Sequence, residues 1–160
     1  MINQLIQAVL WLCLGAGMTL FHALSIIERG SRRLMLSPRD QNVSVSQSRK
    51  TAAMLHHVIP HFPPLQGAVM LGTIAGLGWE AITAGAWSLE LLNLSVWVGI
   101  MAGIVGFRRI GASVAFLKGS LDSVNDEILR NELGRVMGSH HLALLAYIIT
   151  TLLELLVILL

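Results

Sequence analysis

Six histidines are the residues of this chain best suited to chemistry. Three lie in one short stretch, Leu55-His56-His57-Val58-Ile59-Pro60-His61-Phe62-Pro63-Pro64, which also holds three of the four prolines. The others are His22, His140 and His141. Neutral imidazole is the commonest transition-metal ligand and a frequent axial ligand of haem. His57 and His61 have the i, i+4 spacing that places side chains on one helix face, although Pro60 interrupts it. His140 and His141 are adjacent, so at most one of them points inward. A site built from His22, one of His56, His57 and His61, and one of His140 and His141 would join three separate elements. Glu28 could add an oxygen. The chemistry expected of such a site is redox or cofactor handling at haem or a transition metal. The competing reading is that amphipathic imidazoles sit at a membrane interface with their nitrogens wet. It covers every histidine except His22, which lies inside an apolar run and needs a partner.

A second set is acidic. Glu80 and Glu154 stand inside apolar runs with no Lys, Arg or His nearby in sequence. Carboxyls so placed are neutral hydrogen-bonded acids, a proton-carrying pair, or a cation site. Thr83, Asn93 and Thr150 are candidate partners. Rotation toward the outer interface is the alternative, easier for Glu80 beside Trp79 than for Glu154 among Leu152, Leu153, Leu155 and Leu156. Glu90 falls at a turn and is expected to be solvated.

The elements that must position these groups are membrane helices. Of 160 residues, 54% are hydrophobic and only 12% charged, half the charged share of a soluble domain. Mean hydropathy is +0.70. About 20 apolar residues cross a bilayer, and the chain has room for four spans, about 4–27, 64–87, 89–107 and 140–160. No Lys or Arg precedes Arg29, so the first span lacks the charged start of a signal peptide. The single cysteine, Cys13, cannot form an intramolecular disulfide. The expected fold is one all-α domain over 1–160, a four-transmembrane-helix bundle with short amphipathic helices in its two polar connections. The first such helix is expected from Ser44 to about Val58, ending at Pro60, after a turn at Ser37-Pro38-Arg39-Asp40. The second has Leu117, Leu121, Val124, Ile128 and Val136 on one side and Asp122, Asp126, Glu127, Arg130 and Glu132 on the other. Gly72-x-x-x-Gly76 and Gly99-x-x-x-Gly103 would let the second and third spans pack closely as a hairpin, and Trp79 and Trp87 mark the outer interface.

All 11 Lys and Arg fall in the two connections, six in the first and five in the second. The positive-inside rule puts both connections in the cytoplasm and both termini outside, in a plasma or inner membrane. All six histidines then gather toward the cytoplasmic leaflet, with His22 about 8 Å below its surface. Glu80 and Glu154 reach similar depth in the outer third, about 24 and 21 Å into their spans. Three functions follow. One is a haem or transition-metal protein using the histidines. Another is a carrier or proton-coupled subunit using Glu80 and Glu154 outside and the histidines inside. The last is an accessory subunit of a larger membrane complex, without chemistry of its own. Whether the chain is an enzyme stays open. The partners expected are the lipid bilayer and either a second copy of the chain or a larger complex. The Arg29-Gly30-Ser31-Arg32-Arg33 segment suits lipid head groups, and basic residues without interleaved aromatics argue against nucleic acid. No GxGxxG, P-loop, HExxH, CxxC or GxSxG pattern occurs.

Overall fold

Helix is the only regular structure among the described residues. The computed structural model describes residues 2–84, 88–106, 108–121 and 123–159, so Trp87 and Asp122 lie outside them. Helix α1 (Ile2–Glu28) runs directly into a 3-10 helix (Arg29–Met35). Next come α2 (Val45–Val58), α3 (Phe62–Ala84), α4 (Leu89–Gly106), α5 (Arg108–Lys118) and α6 (Asp126–Leu159).

Three of these elements are long and apolar enough to cross a membrane: Ile2–Met35, Pro64–Ala84 and Asp126–Leu159. In each apolar window 28% of residues are buried within the protein. Leu12, Leu71, Ile82, Leu152 and Ile158 are among the exposed remainder. So much apolar surface is stable only in an apolar medium, which is the mark of a membrane protein.

The packing follows from heptad-like stripes. Leu10, Leu14, Gly17, Phe21, Leu24 and Glu28 form the buried face of α1. On α6, Leu129, Leu133, Val136, Ala143, Tyr147, Thr150 and Glu154 are buried, and His140 occupies the one missing position of the same 3–4 alternation. The two stripes meet antiparallel: Glu28 reaches His140, and Gly17 lies directly under the Tyr147 ring. Helices α1 and α4 both pack against α3 and α6, so the four alternate around a ring.

Local signals explain most boundaries. Ser44 caps α2 by accepting from the Gln47 backbone N–H at 3.1 Å. Pro60 follows the end of α2, and Pro63 and Pro64 occupy the first turn of α3, where a missing N–H costs little. Asp40 N–H donates to the Ser37 carbonyl at 3.0 Å, closing the expected turn. Two expectations need correction. The second amphipathic helix is not one piece: α5 ends at Lys118, Leu121 and Val124 lie in the connection that follows, and Ile128 and Val136 belong to α6. Asn125 caps α6, its side chain accepting from the Glu127 N–H at 2.8 Å, and the helix continues through His140 and His141 to Leu159. Nor do Gly72 and Gly76 serve the α3–α4 hairpin: they face Cys13 and Leu10 of α1. A small-residue face specifies close approach, not which helix approaches.

On the polar side, α6 is tied to the 37–44 loop by Arg130. Its guanidinium donates to the carbonyls of Pro38 (2.9 Å), Val43 (2.7 Å) and Asp40 (2.5 Å). Arg49 of α2 donates to the Leu121 and Val124 carbonyls and pairs with Asp126 at 2.6 Å. The exposed Arg39–Glu127 pair adds little by comparison.

Two glycines of α6 give opposite expectations. A Cβ on Gly134 would come within 2.5 Å of the Leu34 carbonyl oxygen, whereas one on Gly138 meets nothing within 4 Å. Gly138→Ala should therefore stabilise by up to about 1 kcal/mol through helix propensity. Gly134→Ala should destabilise by about 1–3 kcal/mol through overpacking. Thermal unfolding in detergent reads both, and equal shifts would refute the close approach at Gly134. A second expectation concerns acid. The Asn42 backbone N–H and then its side-chain amide, each 2.8 Å from Asp40 Oδ1, hold that carboxyl below the usual carboxylate range. A depressed carboxyl contributes stability that is complete above the ordinary carboxylate range and fades as pH falls through the folded value. Amide-exchange protection of Asn42 should fade on acidification in the native chain and be insensitive to pH in Asp40→Asn.

Candidate functional site

The histidines do not converge. His22 is exposed on the flank of α1 opposite the Phe21–Leu24–Glu28 face. His57 and His61 are also exposed. His56 lies against α5, its Nδ1 bonded to the Leu117 carbonyl at 2.8 Å, and its ring meets His57 edge-on at 5.8 Å. Among the described residues, no group of three or more His, Cys, Asp or Glu is arranged to hold a metal ion. The continuity of α6 is one reason. His140 and His141 stand mid-helix rather than at a helix start, and each has its Nδ1 engaged, by Glu28 and by the Met137 carbonyl respectively.

What the structure does bring together is Glu28 with His140 and His141. Glu28 ends α1 fully buried. Its Oε1 lies 2.6 Å from His140 Nδ1, and its Oε2 lies 3.6 Å from His141 Nδ1. His141 Nδ1 also bonds the Met137 carbonyl at 2.9 Å. A carboxylate on Nδ1 fixes the imidazole tautomer and leaves Nε2 as a proton acceptor. The Phe21 ring packs against His140 at a centroid distance of 6.1 Å.

The acidic set converges at the other end of the ring. Glu154 of α6 is 1% exposed. Asn93 of α4, fully buried, donates through Nδ2 to Glu154 Oε1 at 2.8 Å and to the Thr150 carbonyl at 3.3 Å. Glu80 of α3, half-buried, brings its carboxyl into hydrogen-bonding range of Glu154, with Glu90 close enough to repel it. Thr83, expected as a partner, instead bonds back to the Trp79 and Glu80 carbonyls. Three helices thus each contribute one polar side chain to a single cluster. Two like charges 4 Å apart repel by about 4 kcal/mol at an effective dielectric of 20.

Sequence reasoning reached Glu80, Glu154, Asn93 and Thr150, because depth along each span was countable. It missed Trp97 and Tyr147, which are fully buried and meet edge-on at 4.8 Å. Their spacing does contain a signal: Trp97 is one turn from Asn93, and Tyr147 is two turns from Glu154 and from His140.

Compared with models of protein families, with curated proteins and with solved structures, the chain matches none.

Removal of one member separates the paired histidine from the exposed one. Glu28→Ala is expected to lower stability by about 1.5–3 kcal/mol, the worth of a hydrogen bond to a charged group. His22→Ala should change it by less than about 0.5 kcal/mol, as for other surface positions. Thermal unfolding in detergent measures both, and comparable losses would show that His22 has a partner of its own.

Proposed function

We propose that the chain is a four-span integral membrane protein that takes up a proton from the outer side at the Glu80–Glu154 pair. The observation that carries this reading is the meeting of two carboxyls from α3 and α6 inside apolar helices, with the Asn93 amide donating to the Glu154 carboxyl. Glu90 at the start of α4 and Glu80 on α3 are both half-buried, and Glu154 is buried. A proton arriving at Glu80 passes across its hydrogen bond to Glu154, whose carboxyl the Asn93 amide holds in place.

The topology belongs to the same proposal. Helices α1, α3, α4 and α6 each cross once. At 18 residues, α4 is about 27 Å long, close to the thickness of a hydrocarbon core. The location of all Lys and Arg puts α2, α5 and the first turns of α6 in the cytoplasm, with both termini outside. Glu28, His140 and His141 then form the inner acceptor, since the Glu28 carboxyl holds the His140 ring through Nδ1 and leaves Nε2 to meet a proton. The protein is a proton-coupled carrier or subunit.

Purified protein reconstituted in liposomes with a trapped pH dye tests this. An imposed gradient should drive proton entry, and Glu154→Gln should slow it at least about tenfold, equivalent to about 1.4 kcal/mol of barrier. Undiminished flux in Glu154→Gln overturns the assignment.

A further inference from the structure

Four fully buried polar side chains each hold an atom without a hydrogen-bond partner: Asn93 Oδ1, Thr150 Oγ1, Trp97 Nε1 and the Tyr147 hydroxyl. They are contiguous. Asn93 and Trp97 are one turn apart on α4, and Tyr147 and Thr150 are one turn apart on α6. Asn93 is bonded to the Thr150 carbonyl, and the Trp97 and Tyr147 rings touch. The nearby Thr73 hydroxyl gives its proton to the Val69 carbonyl, so toward Tyr147 it can only accept and leaves the acceptor sites of the phenol oxygen unmet. At the outer end the row joins Glu80, whose Oε2 is likewise unpaired.

Buried polar atoms are nearly always satisfied by protein or by bound water. The row mixes donors, Trp97 Nε1 and the hydroxyls, with acceptors, Asn93 Oδ1 and Glu80 Oε2. Water is the one small molecule that serves both kinds, making about three hydrogen bonds per site. A single cation would leave the indole N–H unmet, and a single anion would face two carboxyls.

We propose that these residues line a buried file of water leading from the Glu80–Glu154 pair inward to Tyr147, and that the file conducts protons. It rests on the reading of that pair as a proton site. Along α6 it covers seven residues, about 10 Å. Each transfer is balanced. Glu154 gives its proton to the first water and regains one from Glu80, each water passes one on, and the Tyr147 oxygen accepts one as its own hydroxyl proton leaves for the His140 ring once Phe21 turns aside. At the inner end, Phe21 stands between Tyr147 and His140, with ring centroids at 5.8 and 6.1 Å. That apolar ring closes the file before the Glu28–His140 pair, so passage to the cytoplasm requires Phe21 to turn aside.

Two measurements on the full chain in liposomes test the file. X-ray hydroxyl-radical labelling modifies side chains beside bound water even when they are buried. Tyr147 and Trp97 should be labelled at rates near those of exposed aromatics, and protection of both overturns the file whatever the flux shows. Proton flux then tests conduction. Tyr147→Phe keeps the ring against Gly17 and Trp97 but should slow entry about tenfold, while Phe21→Ala should raise it. Labelled residues with wild-type flux in Tyr147→Phe would show water that does not conduct, and would also overturn the proposal. If Glu154→Gln still abolishes flux in that case, the acid pair stands and only the file falls. If Glu154→Gln has no effect, the acid pair itself fails.

Discussion

The unbroken backbone ladder of α6 is the constraint on which the other elements depend. Thirty-four residues without an interruption give a rod about 50 Å long. One end sits among the charged loops and the other in an apolar run. Helices α1, α2, α4, α5 and the 3-10 helix all pack against it. Because the ladder is continuous, one buried stripe holds a single register throughout. Leu34 against Gly134, Glu28 against His140 and Tyr147 over Gly17 are successive consequences of that register.

The polar groups follow the same geometry. On the α6 stripe His140 and Glu154 stand about 21 Å apart along the axis. Each finds a carboxyl from another helix, Glu28 in one case and Glu80 in the other. Between them Tyr147 and Thr150 keep the stripe polar, and the Phe21 ring stands between Tyr147 and His140. In an apolar medium such a row is costly unless every member is met by a partner. The bundle confines these groups to its interior and turns leucine and isoleucine outward.

Much of this was legible in the sequence. Apolar runs, Ser44 as a cap, Pro60 as a stop and the Pro63-Pro64 start are local signals, and the structure follows them. The depth match of Glu80 and Glu154 was also countable, because rise per residue is fixed. What was not legible depends on rotation and register. His22 lies inside a span, but only packing decides that its flank of α1 is exposed. Gly72 and Gly76 announce a close neighbour without naming α1. The sharp change in composition at His140 looks like a helix start, yet hydrogen bonding along the backbone is indifferent to it. The pairing of Glu28 with His140 joins residues 112 apart in sequence, and no local pattern announces it.

The grip of Arg130 on the 37–44 loop has a consequence for sequence drift. All three of its acceptors are main-chain oxygens. The loop is therefore held in shape by a residue outside it, through atoms that every amino acid carries. Substitutions at Arg39 or Gln41 change what the loop displays without touching the clasp, whereas a change at position 130 removes three of its ties at once. Variation can accumulate on the displayed side chains while the contour they stand on stays fixed.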